Sequence, residues 1–168
     1  TEHPQVQQGM EEIYKAWVEF GIDGFRIDTA KHVNLEFWQS FGPAMHDHAA
    51  LLGNDDFFMF GEVFDANPAF QSIYSTAGAL SSTLDFGFQQ VAVAVTNGDA
   101  TSLLADLYVG DDYYTDTDSN AYNLPTFLGN HDMGRIGNFV GGDLQKDLFA
   151  HGLMFTLRGQ PVVYYGDE

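Results

Sequence analysis

The chain has 168 residues and carries 24 acidic against 6 basic side chains, a net charge of −18 at pH 7. This charge disfavours nucleic acid and anionic membranes as partners, because binding to phosphate groups needs a basic surface. Cysteine is absent, which excludes disulfides, thiolate nucleophiles and zinc–thiolate sites. No run of eighteen or more apolar residues occurs, so we predict no membrane-spanning helix.

Hydrophobic spacing and turn residues predict helices that alternate with strands along the chain. A continuous apolar run before Gly61 is typical of a strand buried on both faces, and Gly42-Pro43 is expected to kink the second helix. In chain order we predict helix 4–20, strand 24–28, helix 34–52, strand 57–60, helix 67–77, strand 83–86, helices 89–95 and 100–109, loop 111–123, strand 126–129, helix 143–157 and strand 161–165.

This alternation predicts an α/β fold of parallel strands joined by right-handed crossovers. Polar residues collect where the strands end, which is where a (β/α) barrel or an open parallel sheet places its site. Asp85 can be interpreted as a rim residue or as a strand-end cap, and the cap is the simpler interpretation. The other polar residues at strand ends are Asp28, Glu62, His131, Asp132, Asp167 and Glu168.

The stretch from Gly24 to His32 carries an arginine and an aspartate two residues apart on one strand. Alternate strand residues share a face, so we expect Arg26 and Asp28 to lie side by side. A neighbouring cation favours the ionised carboxylate that a nucleophile needs. A purely structural ion pair at a strand end is the alternative reading.

A second carboxyl, Glu62, follows the buried aromatic run, and burial there favours its protonated form. An ionised and a protonated carboxyl about 5–5.5 Å apart are what retaining glycoside hydrolysis requires. Asp132 ends a further strand, and His131 beside it could bind a sugar hydroxyl. The residues therefore favour a glycosidase site at the carboxyl ends of the strands.

Four motifs in order resemble those of the α-amylase family, glycoside hydrolase family 13. They are GFRIDTAKH at 24–32, FGEV at 60–63, FLGNHD at 127–132 and GQPVVYYGDE at 159–168. The resemblance implies that Asp28 is the nucleophile, Glu62 the general acid/base and Asp132 the stabiliser of the transition state. It implies that Arg26 positions the nucleophile, and that Lys31, His32 and His131 bind substrate.

The resemblance also implies which part of the fold is present, the substrate and the location. Residues 1–168 are expected to form strands four to eight of a (β/α)8 barrel, without the first strands and the domain inserted after the third strand. The expected substrate is an α-1,4-glucan of the starch type, and the expected location is extracellular or periplasmic. A glucanotransferase of the cyclodextrin type and a non-catalytic carbohydrate-binding or assembly relative remain alternatives.

Two further expectations concern what the complete protein would add. Calcium is implied for the full-length enzyme, and within this chain only the backbone carbonyl of His32 matches a ligand position. Because calcium takes six to eight oxygen ligands, this chain alone is not expected to form a stable calcium site. The chain alone is expected to be inactive unless self-association or the missing N-terminal half completes the barrel.

Overall fold

A computed structural model describes residues 3–168 of the chain. The main helices alternate with short strands, as the sequence predicted. The helices are α1 Pro4–Glu19, α2 Leu35–Leu51, α3 Pro68–Gln71, α4 Ile73–Thr76, α5 Phe86–Thr96, α6 Ser102–Tyr108, α7 Ile136–Phe139 and α8 Leu144–Thr156. The strands are β1 Gly24–Ile27, β2 Phe58–Gly61, β3 Ser82–Thr83, β4 Pro125–Phe127 and β5 Gln160–Val162.

The strands pair in parallel and in chain order, which confirms the expectation drawn from the alternating elements. One sheet has the order β1-β2-β3 and a second the order β4-β5. In the first, Ile27 lies opposite Gly61 at the carboxyl ends of β1 and β2. The N–H of Asp85 donates to the carbonyl of Pro125 at 3.0 Å and so links the two sheets. The strands within each sheet therefore run in the same direction, and the two sheets adjoin at Asp85 and Pro125.

Apolar side chains of the helices and strands form several buried clusters. The largest lies between α1, α2 and the first sheet and includes Phe37, Phe41, Met45 and Met59. The second lies between α5 and α8 and includes Phe88, Ala92, Ala150 and Met154. The third lies beneath the carboxyl ends of the strands and contains Leu84, Phe86 and Phe127, with Phe60 and Met133 against it.

Several element boundaries differ from those predicted. The strand predicted at 83–86 stops at Thr83, because the carboxylate of Asp85 accepts the Phe88 N–H at 2.8 Å and begins α5. Asp85 is thus a cap, as favoured from the sequence, but it caps the helix that follows rather than the end of the strand. The helix predicted at 67–77 divides into α3 and α4 at Ser72.

The second helix and the last strand also differ in detail. Helix α2 is one continuous element with Pro43 inside it. Beside that proline, Gly42 lets the helix approach the backbone of Ala79, which any larger residue would strike. The strand predicted at 161–165 spans Gln160–Val162, and the chain turns later, at Gly166 with φ +80°. Two short 3-10 turns, Asp111–Tyr114 and Ala121–Asn123, occupy part of the polar loop.

A buried ion cluster joins α5 to the segment before β5. The Nε and Nη2 atoms of Arg158 bind the carboxylate of Asp111 at 2.6–3.0 Å, and Nη1 binds Asp85. The Arg158 guanidinium also lies 5.1 Å from the ring centroid of Tyr108. Burial alone would lower the pKa of Arg158, but the hydrogen bonds to Asp111 and the charge of Asp85 raise that pKa above its ordinary value. The cluster is therefore a set of ion pairs that links these segments inside the fold.

Among residues 3–168, none of the helices is long and apolar enough to cross a bilayer.

Candidate active site

The register of β1 and β2 brings two carboxyls to adjacent strand ends. Ile27 and Gly61 are direct partners, so Asp28 and Glu62 both follow the last paired residues. The N–H of Glu62 donates to the carbonyl of Ile27 at 2.7 Å and prolongs the pairing by one residue. Neighbouring parallel strands thus place two acidic side chains at one edge although they are far apart in sequence.

One guanidinium lies between these two carboxyls. Arg26 Nη1 is 3.4 Å from Oδ1 of Asp28, and Arg26 Nη2 is 3.9 Å from Oε1 of Glu62. The side chain of Asp28 is 66% exposed, whereas that of Glu62 is 9% exposed. The side-by-side placement of Arg26 and Asp28 is confirmed, and so is the burial of Glu62. The approach of the same arginine to both carboxyls was not foreseen from the sequence.

The buried carboxyl is held by the turn that follows β1. The N–H of Thr29 donates to Oε2 of Glu62 at 3.0 Å, and the N–H of Ala30 donates to the backbone carbonyl of Glu62 at 3.0 Å. Gly61 permits this approach, because a Cβ at that position would lie 3.0 Å from the side chain of Ala30 and 2.9 Å from that of Leu80. The glycine before Glu62 therefore serves close packing.

The third predicted carboxyl lies in the loop after β4. Oδ1 of Asn130 accepts the N–H groups of Asp132 and Met133, both at 2.9 Å, and so shapes the loop. His131 Nε2 is 3.1 Å from Oδ2 of Asp132, and both side chains are more than half exposed. Within residues 3–168, neither a hydrogen bond nor an ion pair joins Asp132 to the carboxyls of β1 and β2. Met133 does pack on the apolar cluster beneath the strand ends.

The predicted substrate-binding pair after β1 sits beside an exposed aromatic ring. Lys31 Nζ donates to the carbonyl of Phe64 at 2.6 Å and lies 5.8 Å from the centroid of that ring. Phe64 is 51% exposed and packs on Phe86 with centroids 4.7 Å apart. His32 ends a short 3-10 turn and is exposed. Phe64 was missed at the sequence level, although its place two residues after Glu62 was a usable signal.

A second arginine missed by the sequence reasoning fastens the Asp132 loop to the segment after β5. Arg135 Nη1 donates to the Tyr165 carbonyl at 2.5 Å and to Asp167 at 2.8 Å. Its guanidinium lies 4.9 Å and 5.0 Å from the ring centroids of Tyr164 and Tyr165. The chain has only 6 lysines and arginines in total. This scarcity was the sequence signal that could have marked Arg135 for attention.

The sequence matched one calcium-ligand position within this chain, at His32. The backbone carbonyl of His32 is one oxygen, and calcium takes six to eight. Across residues 3–168, no group of three or more acidic, histidine or cysteine side chains could hold a metal ion. The surface also has an open pocket of about 910 Å³. Its walls include Asp55, Ser81 and Asn123, which precede β2, β3 and β4, and none of the candidate catalytic residues.

Comparison with known families agrees with this geometry. The family described as the alpha amylase catalytic domain matches residues 1–168. The chain belongs to the α-amylase family. Its α/β architecture is accordingly that of the family's catalytic domain.

Two curated relatives carry different names. An alpha-amylase of Streptomyces lividans is 53% identical over 180 residues, covering 100% of this chain and 20% of that protein. A cyclomaltodextrin glucanotransferase of Klebsiella oxytoca is 31% identical, covering 92% of this chain and 28% of that protein. The chain therefore spans less than a third of either relative.

A solved structure gives the same result at the level of the fold. The alpha-amylase from Geobacillus thermoleovorans, complexed with acarbose, superposes with a TM-score of 0.87 at 27% sequence identity. The match covers 99% of this chain and 37% of that chain.

Proposed function

We propose that the protein containing this chain hydrolyses α-1,4-glucosidic bonds of starch-type glucans with retention of configuration. The observation that carries the proposal is the pair of carboxyls at adjacent strand ends, bridged by Arg26, with Asp28 exposed and Glu62 buried. Such a pair can divide the work between a nucleophile and a proton donor. Similarity to the alpha-amylase of Streptomyces lividans supports this reaction class.

In the first step a carboxylate oxygen of Asp28 attacks the anomeric carbon while the glycosidic bond breaks. Glu62 gives its proton to the departing oxygen, which leaves as a sugar hydroxyl. In the second step a water oxygen attacks the same carbon, Glu62 takes the water proton, and the bond to Asp28 breaks. Both carboxyls return to their starting states.

The remaining residues act on the sugar rather than on the bond. Asp132 would stabilise the positive charge that develops at the anomeric centre. His131 would bind a hydroxyl of the same glucose unit. Lys31 and His32 would contact the sugar on the leaving-group side. Phe64, exposed beside Lys31, offers that sugar an aromatic face for stacking.

Glucanotransfer is the second candidate, because the chain is also similar to a cyclomaltodextrin glucanotransferase. The same carboxyls would serve, with a sugar hydroxyl in place of water in the second step. Product analysis separates the two, since transfer yields cyclic or longer glucans and hydrolysis yields shorter ones. A non-catalytic binding or assembly role is disfavoured, because binding alone needs no buried carboxyl beside an exposed one.

We further propose that β1 to β5 are strands four to eight of a (β/α)8 barrel. Within the described chain, β1 and β5 each have a strand neighbour on one side. The flanking helices support the same view, since α1 exposes Ile13 and Trp17 and α8 exposes Leu148 and Phe155. Apolar side chains on both flanks suit burial by additional barrel elements. An extracellular or periplasmic location is part of this proposal.

The test is Glu62→Gln in the full-length enzyme. The amide keeps an oxygen for the Thr29 N–H but cannot donate the proton, so we expect kcat on starch to fall by about 10²–10⁴-fold. Binding of a maltooligosaccharide, measured by calorimetry, should persist. Glu19→Gln is the control, because Glu19 is exposed near the end of α1 and pairs with His48 at 3.1 Å. Unchanged turnover in Glu62→Gln would refute the assignment.

A further inference from the structure

The residue after Asp28 has an unfavourable backbone conformation. Thr29 adopts φ 49° and ψ 36°, in the left-handed region. For a β-branched residue this region is rare and costs free energy relative to an ordinary conformation. Among residues 3–168, the other non-glycine residue with positive φ is Ala79. Such a conformation persists where the surrounding contacts require it.

Three hydrogen bonds join the segment around Thr29 to Glu62. Three backbone N–H groups tie the segment 27–30 to that residue, and each has its own target. The Glu62 N–H donates to the Ile27 carbonyl, and the Ala30 N–H donates to the Glu62 carbonyl. The Thr29 N–H is the member of this set that reaches the carboxyl, at 3.0 Å from Oε2. The left-handed turn therefore directs one donor at the functional atoms.

We propose that the Thr29 N–H positions Glu62 as a proton donor by keeping Oε2 as the acceptor oxygen, so that Oε1 carries the transferable proton. A protonated carboxyl has one hydroxyl and one carbonyl oxygen, and the carbonyl oxygen is the natural acceptor for an N–H. Arg26 Nη2 lies 3.9 Å from Oε1, beyond hydrogen-bond distance. That guanidinium, with Asp28 at its other end, therefore leaves Oε1 available.

This inference rests on the proposed glycosidase function and adds a positioning residue to it. If the Thr29 N–H orients Glu62, losing it should slow only those cleavages in which the leaving oxygen needs a proton. A sugar hydroxyl is such a leaving group. A dinitrophenolate leaves without protonation, so its departure is insensitive to how Glu62 is oriented. The two kinds of substrate separate orientation of the acid from general stability of the site.

The experiment replaces the Thr29 amide by an ester in the full-length enzyme, which exchanges the N–H for an oxygen and keeps the side chain. The matched control is the ester at Ala30, whose N–H binds the backbone of the same glutamate. We compare kcat/KM for maltotetraose and for 2,4-dinitrophenyl α-maltoside. This parameter covers steps up to the departure of the leaving group and excludes the later attack by water.

The Thr29 ester should lower kcat/KM for maltotetraose by about tenfold, as loss of one hydrogen bond to a functional carboxyl predicts. The value for the dinitrophenyl substrate should change by less than about twofold. The Ala30 ester should affect both substrates by the same factor. Equal losses on both substrates for the Thr29 ester would overturn the proposal.

Two further measurements keep the outcomes distinct. If Glu62→Gln still cleaves glucans, the proposed function fails; if it does not, while the Thr29 ester affects both substrates alike, the positioning role alone fails. Should the Thr29 ester not fold, the Thr29 amide proton can be followed by NMR in the unmodified enzyme. Its chemical shift should differ between the unmodified enzyme and Glu62→Gln, because the acceptor changes from a carboxyl to an amide oxygen. An identical amide signal in the two proteins would reject the contact.

Discussion

Replacing Arg158 by methionine should destabilise the protein more than most single substitutions. The side chain of Arg158 is 8% exposed and that of Asp85 is 2% exposed. Methionine approximates the length of the arginine stem but removes the guanidinium from both Asp85 and Asp111. Asp85 then keeps its cap on the Phe88 N–H but loses its cation.

The size of the effect follows from burial. Breaking a buried ion pair by removing one partner costs about 3–5 kcal/mol, because a charge is left without compensation in a poorly solvated place. Asp85 belongs at that level, whereas Asp111, with its side chain 25% exposed, can recover hydration and adds little. We therefore expect a loss of about 3 kcal/mol in the free energy of unfolding.

Urea unfolding of the full-length enzyme, followed by near-ultraviolet circular dichroism, measures this loss. A matched variant combines Arg158→Met with Asp85→Asn and Asp111→Asn, and it should recover much of the stability because no buried charge remains. Asparagine also preserves the helix cap at Asp85. A loss below about 1 kcal/mol in Arg158→Met, or no recovery in the combined variant, would refute the reasoning.

Two other predictions concern acid stability and the isolated chain. Burial lowers the pKa of His46 below its ordinary 6.5, with Asp118 and Asp47 opposing the shift. Its contribution to stability is thus present above about pH 6.5 and lost as the pH falls through the lowered pKa. In His46→Gln, the melting temperature should change less with pH just below 6.5 than it does in the unmodified protein. The same dependence of melting temperature on pH in both proteins would contradict this. A purified chain of residues 1–168 should bind a hydrophobic dye and hydrolyse no starch, because the flanks of α1 and α8 stay exposed; robust hydrolysis by a monomer would contradict the barrel proposal.

Local chemistry explains why much of the fold could be predicted. The helix at 4–20 and the strand at 24–28 were found within one residue of their ends, because a proline begins the helix and a glycine follows it. The strand at 83–86 was mistaken, since its apolar residues fit a strand but Asp85 begins a helix. Capping overrode hydrophobic pattern at that point, as expected where a side chain competes for backbone donors.

Some features of the candidate site could be predicted from the sequence and others could not. Arg26 beside Asp28 follows from the two-residue period of a strand, and burial of Glu62 follows from the apolar run before it. The contact of Thr29 with Glu62 joins residues 33 positions apart, and that of Arg158 with Asp85 joins residues 73 apart. Spacing along the chain contains no information about such pairs, because they form where separate strands and helices meet.

By itself the sequence determined the family, the parallel alternation of helices and strands, and the acidic residues at the strand ends. The tertiary structure decided how those residues relate. It put one guanidinium between Asp28 and Glu62, and it brought the left-handed Thr29 onto the buried carboxyl. The physical reason is that identity and local spacing fix which groups are available. The register of packed strands fixes the distances and solvent exposure on which their chemistry depends.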